Sequence, residues 1–280
     1  MKIFDMRLRP PFGSIADGMF NTPGREIFLP ESFARRFGMH IAPSARARSM
    51  DLFISEMDQA GITAGAVLVR TATGMKNEDL EKLAELYPGR FVGVAGIDPT
   101  RPDCLAEAAR WSKKPCVRAL LIEPGFCRPA LKADDRRIYP LYELCEGEKI
   151  PLFISFGGFV APDLSYTDPM LIERVALDFP GLSMVLAHGG WPYVNAISHV
   201  AFERPGVYLA PDLYTMNVPG NREYLEAANF LVPEKFMFGT AYPCVDMREA
   251  VDYYMRWGLN ADVAPLVLYE NAARLLNLEN

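Results

Sequence analysis

Histidine is scarce in this chain: His40, His188 and His199 are the only three in 280 residues. A catalytic zinc site of the usual kind takes three protein ligands, so one built chiefly from imidazole is short of donors from the start. Cysteine does not make up the deficit. Cys104, Cys116, Cys127, Cys145 and Cys244 are odd in number, scattered and without a CxxC pair. Neither a disulfide framework nor a thiolate zinc site is indicated, and a reducing cytoplasm is the expected compartment. An excess of basic charge is also missing. With 29 Lys+Arg against 35 Asp+Glu the net charge is -6, which excludes the positive surface that nucleic acid or an anionic membrane requires. Long apolar runs are lacking too: the longest, 150–162, contains two prolines and is interrupted by Gly157-Gly158. It falls short of the roughly 20 residues of a membrane helix. Asp5 stands where a secretory apolar segment would run, so no signal peptide is expected.

What is present is the composition of a folded globular protein, 50% hydrophobic and 23% charged, with a mean hydropathy near zero. Barrels of this length form one domain, and a single domain over 1–280 is expected. Eight short apolar runs rich in β-formers occur at 3–8, 64–70, 91–97, 117–123, 152–156, 183–187, 207–210 and 236–239. Amphipathic stretches separate them, at 50–60, 77–87, 104–113, 139–148, 169–179, 193–202, 222–231 and 247–257. Strands without polar alternation belong to a parallel sheet buried on both faces. Eight alternations predict an α/β fold, a (β/α)8 TIM barrel, with an additional C-terminal helix at 264–276; doubly wound α/β is the competing architecture. Pro-Gly junctions at 88–89, 180–181 and 205–206 read as αβ turns, with Gly free to take positive φ.

In barrels the chemistry sits at the strand C-termini. Here those ends carry Arg7 and Arg9, Arg70, Asp98, Glu123, Ser155, His188, Asp212 with Tyr214, and Ala241 with Tyr242. The connection from Arg9 to about Arg48 is far longer than a usual βα loop and reads as a lid over that face, with one short helix at 31–37.

Several segments, taken in order, resemble the amidohydrolase superfamily, in particular its amidohydrolase-related branch of aminocarboxymuconate-semialdehyde and resorcylate-type decarboxylases. They are Ile3-Phe4-Asp5, Tyr139-Pro140-Leu141-Tyr142-Glu143, Ala187-His188-Gly189-Gly190, Phe238-Gly239-Thr240-Ala241-Tyr242-Pro243 and the closing Glu270 to Leu276. The resemblance implies a divalent metal held by an HxH pair after strand 1, a His after strand 5, the His of the HGG element and an Asp after strand 8. The matching positions read Arg7 and Arg9, Ser155, His188 and Ala241. Guanidinium keeps its proton and cannot ligate, and alanine offers no donor, so no standard metal is expected. A rebuilt zinc or manganese site from Glu123, His188 and Asp212 is the chemical alternative, opposed by the two arginine charges.

Arg7 and Arg9 are one residue apart and share a strand face. They either pair with Glu123, Asp212 or Asp5, or form a fork for a substrate carboxylate or phosphate. His188 reads as a general acid or base with Asp212 as its partner, or as a hydrogen-bonded strut. Trp191, Tyr214 and Tyr242 are candidates to position a planar ligand. Ser155 lacks a nucleophile motif and reads as a binding residue. His199 falls within a helix, and His40 lies in the long loop. The expected function is a hydrolase or lyase acting on a small anionic compound, carboxylate-bearing and cyclic or aromatic. The alternative is a non-catalytic barrel that retains an anion-binding pocket, as a sensor or structural subunit. A homodimer is the default assembly.

Overall fold

The computed structural model describes residues 1–20, 30–158 and 162–278. Positions 21–29 of the expected lid therefore lie outside the described residues. Seven strands, β1 (Ile3–Leu8), β2 (Ile62–Leu68), β3 (Phe91–Gly96), β4 (Val117–Ile122), β5 (Leu152–Ser155), β6 (Met184–Ala187) and β7 (Val207–Ala210), form one sheet in sequence order. Every neighbouring pair is parallel. The strands are buried almost throughout, because helices cover the face that does not line the interior. This is an α/β fold.

The described helices follow in chain order. Before β2 come α1 (Gly13–Phe20), α2 (Pro30–Arg36), α3 (Pro43–Ala47) and α4 (Met50–Gln59). Then α5 (Glu78–Leu86), α6 (Cys104–Ser112), α7 (Tyr139–Gly147), α8 (Pro169–Asp178) and α9 (Val194–Glu203) each lead from one strand to the next. After β7 come α10 (Asn221–Glu226), α11 (Met247–Arg256) and α12 (Asn271–Leu276). Ser49, Asp168 and Asp246 cap α4, α8 and α11 with side-chain oxygens. The expected helix at 222–231 is α10 followed by a π turn, and that at 264–276 is a π turn followed by α12.

Residues 236–239 differ from expectation, since they form no strand. Leu209 N donates to Lys235 O and Met237 N to Leu209 O, both at 2.9 Å, while Met6 N donates to Phe238 O at 3.0 Å. The segment thus touches both β7 and β1, but the ladder stops there. Thr240 is anchored to the buried Asp5 through its amide, at 3.0 Å, and its hydroxyl, and Ala241 turns to φ 60.

The Pro-Gly junctions also divide. Gly89 takes φ 76, whereas Gly206 is required for closeness: a Cβ there would stand 2.1 Å from Leu182 O.

Candidate active site

Because all seven strands run the same way, their C-terminal ends share one rim, and the charged residues of β1, β4, β6 and β7 converge there. Arg7, on β1, pairs through Nη1 with Asp212 Oδ2, just beyond β7. The same Nη1 lies 2.7 Å from His188 Nδ1, just beyond β6. A guanidinium can only donate, so His188 Nδ1 accepts and the neutral ring carries its proton on Nε2. The Asp212 oxygen stands farther from Nδ1, at 3.3 Å. Arg7 is therefore the imidazole's nearest partner, and Asp212, the expected one, stands second and within ion-pair distance.

Electrostatics follow from this arrangement. Burial, and next the Arg7 charge, push His188 down to about 4, so the ring is neutral at physiological pH. Burial alone would raise Asp212, but the Arg7 charge and contacts with His188 hold its carboxyl below the usual range. Asp5, below the rim, accepts from Arg7 N at 2.8 Å and from Thr240. Burial outweighs those bonds and pushes Asp5 up to about 6.

A second pair stands beside the first. Glu123, following β4, takes Arg70 Nε on both oxygens, at 2.8 and 3.1 Å, and Ser155 Oγ at 2.9 Å. Burial would raise this carboxyl, yet the charges of Arg70 and Arg9 keep it lowered. Glu123, steadied by Ser155, thus holds Arg70, a partner that its place at the strand ends left without a role. Its place across from Glu123 becomes visible only once β2 and β4 are set in register.

Arg9 is the exception. It is 3% exposed, and among the described residues neither its Nε nor its Nη2 has a hydrogen-bond partner. Among the described residues no carboxylate lies within ion-pair distance of it. Burial, then the like charges of Arg7 and Arg70, push its guanidinium well below the ordinary range. A buried cation in this state is stabilised by any anion that enters. Arg7 Nε and Arg70 Nη2 are likewise buried and unpartnered.

The aromatic candidates separate. Tyr214 packs edge-on against His188, with ring centroids 5.3 Å apart, and stacks on Trp191 at the same distance. Tyr242 is drawn elsewhere: its ring meets Phe53 of α4 and its hydroxyl lies 2.9 Å from Ser44 Oγ. Ser44 in turn donates from its amide to Glu56 at 3.0 Å. Tyr242 is thus bound into the wall formed by α3 and α4, which its sequence position beside Ala241 could not reveal. His199 is exposed on α9. His40 is exposed too, with Nδ1 2.7 Å from Glu249 on α11.

Left-handed backbone recurs on this rim. His188, Asp212 and Ala241 have φ 75, 50 and 60, a conformation that costs non-glycine residues energy and concentrates at functional sites.

The donors do not suit a divalent cation. Among the described residues no three His, Cys, Asp or Glu side chains stand together as a metal cluster. Glu123 and Asp212 are each committed to an arginine, and His188 Nδ1 faces an N–H of the same Arg7 that holds Asp212. The rebuilt Glu123, His188 and Asp212 site is not formed by this geometry.

The amidohydrolase family model Amidohydro_2 matches residues 37–278. A solved structure described as an uncharacterised TIM-barrel protein from Bordetella bronchiseptica is 37% identical, covers 99% of both chains and has a TM-score of 0.92. A dihydroxybenzoic acid decarboxylase from Polaromonas, with bound manganese and the inhibitor 2-nitroresorcinol, is 14% identical. It covers 100% of this chain and 98% of its own, at a TM-score of 0.72. A 4-oxalomesaconate hydratase from Rhodopseudomonas palustris is 16% identical, covers 99% and 96%, and scores 0.67. At these identities the last two speak for the fold alone. No protein of curated function matches the chain.

Proposed function

The chain belongs to the amidohydrolase family Amidohydro_2, and on that premise we propose that it is a hydrolase or lyase. Its substrate is a small carboxylate-bearing compound, cyclic or aromatic, and it works without the family's standard metal. The observation that carries this reading is Arg9, a buried guanidinium at the mouth of the strand rim whose Nε and Nη2 are both unsatisfied among the described residues. Its fork matches a carboxylate.

In this reading Arg9 and Arg70 Nη2 hold the substrate carboxylate. His188 acts as a neutral electrophile: Nε2–H donates to a substrate oxygen that gains negative charge, as an oxyanion donor does. Arg7 fixes that tautomer, and Asp212 fixes Arg7. The Tyr214–Trp191 stack offers a flat apolar wall to the ring. Lactone hydrolysis places negative charge on the carbonyl oxygen, and hydration of an enone or decarboxylation of a β-keto acid on an enolate oxygen; in the last the carboxylate lost as CO2 is not the one that Arg9 holds. The decarboxylase and hydratase of similar fold set the first compounds to screen.

We further propose that residues 236–239 complete the barrel as its eighth stave, supported by their hydrogen bonds to β7 and β1. Five unpaired cysteines support a cytoplasmic location, and among the described residues no helix is long and apolar enough to cross a membrane. The test is a turnover screen of lactones and aromatic carboxylates with the wild type, Arg9→Met and His188→Gln. Turnover that both variants lose by at least about 100-fold supports the reading. Saturable carboxylate binding without turnover on any compound would favour the non-catalytic sensor.

A further inference from the structure

One cavity on the rim has no part in the mechanism above. At the ends of β2, β3 and β4 a space of about 180 Å³ is lined by Val69, Ile97, Asp98, Glu123, Phe126 and Cys127, with Arg128 at its border. At about 30 Å³ per water it takes some six water-sized groups, which is one end of a small molecule rather than the whole. The cavity adjoins the arginine cluster through shared residues. Glu123 lines it and holds Arg70 Nε, and the Arg70 guanidinium carbon sits 4.4 Å from the centre of the Phe126 ring.

Asp98 is the acceptor here with unused capacity. Its Oδ1 accepts from Thr100 N at 2.9 Å and Thr100 Oγ1 at 2.7 Å, and Cys127 Sγ lies 3.7 Å away. Those bonds fix the carboxylate in a turn. Its Oδ2 has no donor, and no Lys or Arg within ion-pair distance, among the described residues. Of the other polar groups, Glu123 is engaged by Arg70 and Ser155 and Cys127 by Asp98 and Glu123 O, while Thr71 and Arg128 also line the space. Burial and the Asp98 charge push the Cys127 thiol up to about 12, so it stays protonated.

We infer that this cavity is the distal half of the substrate site, and that Asp98 Oδ2 selects a ligand bearing a hydroxyl group at the end opposite its carboxylate. The inference rests on the carboxylate site proposed at Arg9. A neutral donor fits better than a cation, because Arg128 lines the space and Arg70 stands behind it on the Phe126 ring, and both repel an ammonium. A hydroxyl donates to Asp98 while its carbon chain contacts Val69 and Ile97.

Calorimetric titration with saturated straight-chain acids of four to seven carbons tests this. Each length is offered unsubstituted and with a hydroxy, amino or oxo group near its far end, to wild type, Asp98→Ala, Asp98→Asn and Arg9→Met. A hydrogen bond to a charged group predicts that one hydroxy acid binds wild type at least about tenfold more tightly than its unsubstituted parent. Asp98→Ala should bring that ratio to within about twofold and leave the parent acid's affinity in place. Asp98→Asn keeps an oxygen for Thr100 and presents an N–H to the cavity, so preference should pass from the hydroxy to the oxo acid. Arg9→Met should weaken all of them alike. A hydroxyl advantage absent at every length, or undiminished in Asp98→Ala, overturns the inference and leaves the Arg9 site standing, as does preference for the amino acid. If no acid binds at any length, the carboxylate site fails and the inference fails with it.

Discussion

Arg7 donates to His188 Nδ1 across 2.7 Å, so the charge nearest the site's imidazole is positive. That relationship decides what the ring can do. An imidazole beside a carboxylate is primed to take up a proton, whereas one beside a guanidinium resists it and offers its remaining N–H instead.

The pH dependence of stability should expose this. His188 is lowered to about 4 and Asp5 raised to about 6. As pH falls through that window, the unfolded chain protonates its histidine while folded His188 does not, which costs stability. Folded Asp5 protonates before its unfolded counterpart, which restores it. Each effect is about 3 kcal/mol, so in wild type the two largely cancel. Asp5→Asn should lose stability as pH falls from 6 to 4, and His188→Gln should gain it. Urea unfolding of the three proteins at several pH values checks this; three parallel curves would contradict the assignment.

Arg7 and Arg9 should respond oppositely to removal. Arg7→Ala strands the buried Asp212 and should destabilise by about 3–5 kcal/mol. Arg9→Met removes a buried charge with no carboxylate partner, and should stabilise by about 1–3 kcal/mol while abolishing carboxylate binding. Denaturation midpoints, read beside ligand titrations, separate the two. Equal destabilisation by both would mean that Arg9 has a structural partner.

Tyr242→Phe tests the separation of the aromatics. Losing the bond to Ser44 should cost about 1 kcal/mol of stability with ligand affinity unchanged. A large affinity loss at unchanged stability would return Tyr242 to the ligand site.

Chelation offers a fourth check. Protein dialysed against a strong chelator should keep its melting temperature and any turnover found, and elemental analysis of untreated protein should find no stoichiometric zinc or manganese. A stoichiometric ion lost in Glu123→Gln would require the donor set to rearrange from its present ion pairs.

Much of the fold was legible because β-rich runs buried on both faces leave a strong signal, and β1, β3 to β5 and β7 begin at the expected residues. The 236–239 run was not separable from a strand by sequence, since its hydrophobicity is that of a strand. Only the Asp5–Thr240 anchor and the turn at Ala241 stop its ladder. At the site, strand-end position located Arg7, Arg9, Glu123, His188 and Asp212, but pairing depends on register between distant strands. The sequence therefore left the partner of each arginine open, and the Pro-Gly junctions hid two demands, φ at Gly89 and clearance at Gly206.

The bend at Ala241 has the same hand as those at His188 and Asp212, although its side chain supplies no functional group. Chemistry on this rim can therefore be exchanged by side chain alone while the loops keep their paths. A library varying positions 9, 155 and 241 together, with the Arg7–Asp212 pair kept, would sample new reactivities at nearly constant fold.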